Sequence, residues 1–141
     1  MMKLYYGPGA CSFVPHVGLE AIKAATGEDF EAQSVKLHKG EQRTPEYMAL
    51  NPLGQVPLLV VDGKPLNQIV AICDYLDRRF PQAGLLPADP WQRAEAMSHF
   101  AWMNNTVHPT FTRIFRPASF VDSEAAQAEL QSLDLGSLAG L

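Results

Sequence analysis

The alternation of hydrophobic and polar residues predicts a strand, a helix and a second strand at the start of the chain. Residues 3–6 are a short β-prone run that the Gly-Pro-Gly of residues 7–9 ends. Apolar residues then recur at helical spacing over 14–22, and Thr-Gly closes the helix. Alternation over 30–37 predicts the next strand, and residues 38–45 are interpreted as a polar loop. A right-handed crossover makes these two strands parallel, with the helix on one face of the sheet.

A different pattern follows and predicts a β-hairpin and then a helix. Residues 58–61 and 64–66 flank an Asp-Gly pair, which readily takes the positive φ angles of a tight turn. Pro65 cannot donate to a strand ladder, so it belongs on a sheet edge or at a strand end, and the last strand is expected to be short. Apolar residues at i, i+3 and i+4 predict a helix over 67–80, with Asn67 as its N-cap.

The pattern changes again near the middle of the chain and predicts a second, all-helical region. Residues 81–90 are rich in Pro, Gly and Ala and are interpreted as a linker. Asp89 and Pro90 supply a capping residue and a first-turn proline, which indicates a helix start. Pro109 is expected to kink or break this helix, and a further helix is predicted over 123–138.

These elements predict two domains. Residues 1–80 are expected to form an α/β domain with a mixed sheet, in the order βαβ and then ββα. Residues 81–90 are the linker, and residues 91–141 are expected to form a partial α-helical domain. Two or three helices bury little apolar surface alone, so we expect the second domain to lean on the first.

Composition narrows the classes of function. The 141 residues carry a formal net charge of −4, and 11 Lys and Arg are scattered among 15 Asp and Glu. No basic stripe is present to hold a nucleic acid or an anionic membrane, so neither is an expected partner. No signal-peptide core or membrane-spanning run occurs, which predicts a cytoplasmic protein. Cys11 and Cys73 lack metal-ligand spacing, and no metal site is predicted.

Cys11 lies between the first strand and the first helix. Unpaired backbone N–H groups and the positive end of the helix favour a thiolate there, so the position predicts an activated cysteine. The alternative is a small buried apolar residue, which is the usual role of a free cysteine.

The run Asn-Pro-Leu-Gly-Gln-Val-Pro at residues 51–57 is more specific. A proline that enters a strand after a polar loop is a frequent place for a cis peptide bond, here Val56–Pro57. The backbone of Val56 would then be exposed and could pair with an extended peptide ligand as an added strand does. The alternative is a rigid loop that binds nothing.

Three features together resemble the glutathione S-transferase family: Cys11 after the first strand, the 51–57 run before a hairpin, and Val-Ala-Ile at 70–72. Residues 3–12 are similar to the bacterial beta class, in which a cysteine faces the glutathione sulfur. The resemblance is close over residues 2–80 and implies a thioredoxin-like fold. It continues less tightly through Trp-Met-Asn and Val-His-Pro of the first long helix of the second domain.

The resemblance implies a site for glutathione as co-substrate, without a metal. Cys11 would meet the glutathione thiol, Val56 would hold its cysteinyl backbone, and Gln55 would help orient its γ-glutamyl part. His108 would reach the thiol and stabilise a thiolate or shuttle a proton, the alternative being a core histidine. The other residues implied to line the site are Tyr6, Ser12, Lys39, Pro57, Gln68 and Ile69.

Two residues depart from the family pattern. Gln68 and Ile69 stand where the family usually has an acidic residue followed by serine or glycine, which bind the γ-glutamyl end. Gln68 lacks the carboxylate charge and Ile69 lacks a hydroxyl, although its backbone N–H is kept. A hydrogen bond to a charged group contributes about 1.5 to 3 kcal/mol. Losing one or two would weaken glutathione binding by roughly tenfold to a few hundredfold.

The helical region also departs from the family pattern. It is shorter than the family's helical domain, and residues 135–141 do not resemble the capping box of a later core helix. We therefore expect a truncated all-α domain, from a fragment or a decayed paralogue.

The resemblance implies a cytoplasmic, homodimeric glutathione transferase that conjugates glutathione to small electrophiles in detoxification. Two alternatives stay open. One is a glutathione-dependent thiol-disulfide reductase that uses the same site. The other is a non-catalytic binding or interaction module with the same fold.

Overall fold

The computed structural model of the protein describes residues 1–139 and contains two compact units, Met1–Pro90 and a second that begins at Trp91. The strands of the first unit are β1 (Met2–Tyr6), β2 (Phe30–Ser34), β3 (Leu58–Val61) and β4 (Lys64–Asn67). Its helices are α1 (Phe13–Thr26), α2 (Pro45–Leu50) and α3 (Ile69–Arg79).

The four strands form one mixed sheet in the order β2-β1-β3-β4. Strand β1 is parallel to β2 and antiparallel to β3, and β3 is antiparallel to β4. The β3–β4 turn has φ of 49° at Asp62 and 79° at Gly63, as the Asp-Gly pair predicts. Pro65 lies on the edge strand β4. The predicted fold class, an α/β domain of thioredoxin-like type followed by helices, is confirmed.

The main core lies between one face of the sheet and the helices α1 and α3. Because side chains alternate along a strand, Met2 and Leu4 of β1 face this core while Tyr5 faces the opposite side. The buried residues of this core are Met2, Leu4, Leu19, Ile22, Leu59, Val61, Ile72 and Leu76. Helix α1 ends at Gly27, which has the left-handed conformation that glycine favours there.

A smaller core on the opposite face contains α2, which the sequence pattern did not predict. The prediction for residues 38–45 was a polar loop, whereas the structure has short 3-10 turns there and then a six-residue helix. The Thr44 hydroxyl caps α2 by accepting from the Tyr47 N–H at 3.3 Å. Tyr47 is buried with Val35 and Leu58. A helix this short carries too few turns for a periodic pattern.

Two predicted boundaries were wrong. Strand β2 ends at Ser34 rather than at residue 37, because the chain turns after Val35 into a 3-10 turn at Leu37–Lys39. Asn67 is the last residue of β4, and Gln68 is the residue that precedes α3.

The second unit contains three helices: α4 (Pro90–Trp102), α5 (His108–Phe115) and α6 (Glu124–Leu138). A π-helical turn, Met103–Val107, separates α4 from α5. It ends two residues before Pro109, which has no N–H to donate and whose ring crowds the carbonyl four residues earlier. Within residues 1–139, no helix is both long and apolar enough to cross a membrane.

A bidentate ion pair joins α5 to α6 in the second unit. The Arg113 Nε and Nη2 groups donate to the two carboxylate oxygens of Asp134, each at 2.9 Å. Arg113 Nη2 also contacts the Thr110 hydroxyl at 3.3 Å, and both Asp134 and Thr110 are buried. The hydrogen bonds from Arg113 hold the pKa of Asp134 below its usual range.

We therefore expect Asp134→Asn to destabilise the helical unit at neutral pH and to lower its melting midpoint by a few degrees. A depressed pKa contributes stability above the unfolded value, about 3.9, and that contribution is lost as pH falls through the folded value. The variant should accordingly lose less helical stability than the wild type between pH 5 and pH 2. Circular dichroism melts across this range test the difference.

Glu31→Gln is the matched control, since it removes the exposed partner of Lys3, whose Nζ lies 2.8 Å from the Glu31 carboxylate. Exposed ion pairs contribute little to the free energy of unfolding, so the melting curves of Glu31→Gln should match those of the wild type. Identical pH profiles for Asp134→Asn and the wild type would contradict the assignment.

Candidate functional site

The loop between β1 and α1 holds Cys11 half-buried immediately before the helix. The Ser12 hydroxyl is completely buried beneath it. This hydroxyl accepts from the Gly7 N–H at 3.0 Å and donates to the Gly7 carbonyl at 3.2 Å. These two bonds close the loop and give Cys11 a defined position. The hydroxyl of Ser12 is therefore occupied within the loop, which leaves its backbone for any ligand contact.

Cys11 lies against the residue that precedes the predicted cis proline. The Val56–Pro57 bond is cis, as predicted. The Cys11 thiol donates to the Val56 carbonyl, with 3.7 Å between sulfur and oxygen. Pro57 is buried and Val56 is half-buried. The structure thus brings Cys11 next to the Val56–Pro57 pair, although Cys11 and Val56 are 45 residues apart in sequence.

Burial works against the expected activation of Cys11. Burial raises the pKa of the Cys11 thiol, and the backbone hydrogen bonds from Cys11 and Ser12 oppose this only in part. The surroundings of the Cys11 thiol in the structure therefore disfavour the thiolate rather than favour it. Cys73 is buried in α3, and burial raises its pKa to about 11.

The loop that carries Val56 is held by two buried polar side chains that sequence analysis did not single out. The Tyr47 hydroxyl donates to the Gln55 carbonyl at 2.7 Å, and the Asn51 Nδ2 donates to the same oxygen at 2.8 Å. The side chain of Gln55 itself is exposed. Only the position of Asn51 at the start of the 51–57 run gave a sequence signal, and Tyr47 gave none.

The start of α3 is linked to this loop through Asn51. Its Oδ1 accepts from the Leu53 N–H at 3.3 Å and from Asn67 Nδ2 at 3.5 Å. Gln68 follows Asn67 directly and has a φ of 70°, an uncommon backbone conformation for a residue other than glycine. Ile69 begins α3, so no earlier helical carbonyl can accept from its N–H.

A glycine in the same loop is required by close packing. Gly54 has a φ of 59°, and a Cβ there would lie 2.7 Å from Arg43 Nη1 and 3.0 Å from the Gln42 carbonyl oxygen. The loop therefore packs tightly on the 3-10 turn Glu41–Arg43.

Lys39 and Tyr6 lie at the margin of this region. Lys39 is exposed at the end of the turn that follows β2. The turn packs on the Cys11 loop, because a Cβ on Gly7 would lie 2.9 Å from Leu37 Cδ1. Tyr6 is half-buried, and its ring centroid is 4.8 Å from that of His16.

His108 begins α5 in the second unit, and its side chain is exposed, so it is not a core histidine. Its carbonyl accepts from the Thr112 hydroxyl at 2.8 Å. A contact between His108 and the thiol of a ligand stays a prediction. Within residues 1–139, no group of three or more His, Cys, Asp or Glu side chains is placed to hold a metal ion.

The arrangement in the first unit offers a thiol donor, the backbone of Val56 just ahead of β3 and the first N–H groups of α3. Such groups suit a short extended peptide that carries a thiol and a terminal carboxylate.

Comparison with known proteins gives matches over most of the chain. Glutathione S-transferase GstA of Escherichia coli O157:H7 is 40% identical over 119 residues, which are 82% of this chain and 57% of that protein. The maleylacetoacetate isomerase of Pseudomonas aeruginosa is 41% identical over 112 residues, 77% of this chain and 51% of the isomerase. The chain thus spans about half the length of these curated relatives.

Solved structures agree with the fold. A glutathione transferase homologue from Sulfitobacter with bound glutathione superposes with a TM-score of 0.89 at 26% identity, covering 99% of this chain and 66% of that one. A bacterial beta class glutathione S-transferase from Sphingomonas chungbukensis gives a TM-score of 0.72 at 31% identity. The match covers 96% of this chain and 67% of that one. The family described as the N-terminal domain of glutathione S-transferase matches residues 1–78. The chain belongs to the glutathione S-transferase family.

Proposed function

We propose that the first unit binds glutathione and that the chain takes part in transferring the glutathione thiolate to a small electrophile. The observation that carries this proposal is the contact of 3.7 Å between the Cys11 sulfur and the Val56 carbonyl oxygen. A peptide paired with the Val56 backbone would place a cysteinyl side chain next to Cys11. Glutathione is a tripeptide with cysteine at its centre, so its sulfur would arrive at this point.

Cys11 acts in this proposal as a hydrogen-bond donor. Since the Cys11 pKa is raised, its S–H is available to turn from the Val56 carbonyl to the sulfur of glutathione. A donor favours the thiolate form of the ligand, and the positive end of α1 adds to this effect. The thiolate then forms a bond to the electrophilic carbon with its electron pair. In a substitution the leaving group departs with the electron pair of the bond that breaks, and in an addition to a double bond the adduct takes up a proton.

The γ-glutamyl end is bound more weakly in this proposal than in relatives with an acidic residue. The Ile69 N–H at the start of α3 remains to bind the α-carboxylate. Gln68 offers an amide oxygen to the α-ammonium group but no opposite charge. Lys39 and Gln55 are exposed, and we assign them to the glycine carboxylate and the γ-glutamyl part respectively.

Membership of the family supports the remaining parts of the proposal. They are a homodimer in the cytoplasm, a role in detoxification, and His108 as the group that assists the thiolate from the second unit. Glutathione is the co-substrate, and no metal takes part.

A second reaction at the same site is favoured by the 41% identity to a maleylacetoacetate isomerase. Reversible addition of a thiolate to a conjugated alkene allows rotation about the former double bond, so one glutathione site serves conjugation or isomerisation. Thiol-disulfide exchange is favoured less, because it needs Cys11 as a thiolate and burial raises its pKa.

Titration of the full chain with glutathione by calorimetry tests the proposal, and we expect a dissociation constant in the millimolar range. The Cys11→Ala variant should bind glutathione with similar affinity. The pKa of the bound glutathione thiol should be higher than in the wild type, because the donor that favours its thiolate is lost. The ultraviolet absorbance of the thiolate against pH measures that shift.

Cys73→Ala is the control, since Cys73 is buried in α3 and should leave the thiolate titration unchanged. No binding up to millimolar glutathione, together with no glutathione adduct on Cys11, would contradict an enzymatic role and favour a non-catalytic module.

We further expect Gln68→Glu to tighten glutathione binding about tenfold, because the carboxylate restores a charged partner for the α-ammonium group. Calorimetry of the variant measures the gain, which should diminish at high salt. Gln33→Glu adds the same charge on exposed β2 and should leave the affinity unchanged. Equal gains in the two variants would show a general charge effect instead.

A further inference from the structure

We propose that Tyr47 and Asn51 are positioning residues of the site, because together they hold the Gln55 carbonyl and so fix the Val56 backbone opposite Cys11. The part of this inference that concerns glutathione rests on the proposed function. The part that concerns Cys11 does not.

The two donors satisfy one acceptor completely. A carbonyl oxygen has two lone pairs, and the Tyr47 hydroxyl at 2.7 Å and Asn51 Nδ2 at 2.8 Å use both. Tyr47 is 6% exposed and Asn51 is 1% exposed. Water therefore competes little for this carbonyl, and its direction is set by the interior of the unit.

The planarity of the peptide bond carries this constraint to Val56. The Gln55 carbonyl and the Val56 N–H belong to one rigid trans peptide unit and point in opposite directions. Because the carbonyl points at Tyr47 and Asn51, the Val56 N–H points away from them. The carbonyl of Val56, one peptide unit further on, meets the Cys11 thiol. The two buried donors thus set the direction of the Val56 N–H, while the Cys11 thiol contacts the Val56 carbonyl.

Asn51 also connects the two ends of the site. Its Nδ2 holds the loop that carries Val56, while its Oδ1 accepts from Asn67, the residue before Gln68. One buried amide therefore sets the position of the Val56 backbone relative to the start of α3.

Tyr47 also packs against another aromatic ring, so its hydroxyl can be removed while this packing contact is kept. It lies in α2, and its ring meets the Tyr5 ring edge-on, with 5.7 Å between centroids. Tyr47→Phe removes only the hydroxyl and keeps this ring contact. Tyr5→Phe is the matched control, since it removes the hydroxyl of the other ring and leaves both donors on Gln55 in place.

The test measures two properties of the full chain: glutathione affinity by calorimetry, and the rate at which iodoacetamide alkylates Cys11, located by mass spectrometry. For Tyr47→Phe we expect about a fivefold rise in the glutathione dissociation constant, the effect of one hydrogen bond. We also expect Cys11 to react about threefold faster, because its thiol loses a fixed acceptor. Tyr5→Phe should match the wild type in both measurements.

Cys73 serves as an internal reporter of general loosening, because it is buried in α3. Iodoacetamide should not alkylate Cys73 in any of the variants. Asn51→Ser removes the Nδ2 donor to the Gln55 carbonyl. Like Tyr47→Phe, it should raise the glutathione dissociation constant and speed the alkylation of Cys11.

The inference is overturned if Tyr47→Phe behaves as the wild type, or if Cys73 becomes labelled in step with Cys11. If the wild type binds no glutathione while Tyr47→Phe still accelerates Cys11 alone, the proposed function fails and the positioning role stands.

Discussion

The antiparallel register of β1 and β3 is the constraint on which the candidate site depends. It sets Tyr5 opposite Leu58, so the carboxyl end of β1 and the amino end of β3 lie at the same edge of the sheet. The loop that carries Cys11 leaves from one strand, and the loop that carries Val56 enters the other. A shift of one residue would turn every side chain of β1 to the wrong face and would also separate Cys11 from Val56.

Buried polar groups then give the two loops their shapes. The Ser12 hydroxyl closes the first loop on Gly7, and Tyr47 and Asn51 fix the second through the Gln55 carbonyl. Each of these side chains is buried, so losing one bond would leave a desolvated group without a partner. This cost favours one arrangement of both loops. The thiol and the backbone of the site are therefore placed by groups that need not touch a ligand.

The apolar core and the turn chemistry made most of the fold predictable. Alternation in β1, helical spacing in α1 and the Asp-Gly turn each depend on local sequence, and the strands and hairpin follow from them. Helix α2 was missed because six residues carry little periodicity, and the positive φ of Gln68 was missed because no glycine marks that position in the sequence.

The sequence predicted the parts of the candidate site that a motif marks. It did not predict the parts that depend on which groups are buried. The run at residues 51–57 indicated the cis Val56–Pro57 bond, but no pattern linked Tyr47 to the Gln55 carbonyl. Position alone predicted a thiolate at Cys11. Burial, which no local pattern reveals, raises the pKa of Cys11 instead. The role proposed for Cys11 is therefore that of a hydrogen-bond donor to the glutathione sulfur.

Nuclear magnetic resonance of the ¹⁵N-labelled chain during titration with glutathione can establish whether glutathione binds across Cys11 and Val56. If it does, the largest chemical-shift changes should occur at the backbone amides of Val56, Cys11 and Ile69. Shifts confined to residues outside these loops, or none at millimolar glutathione, would contradict it.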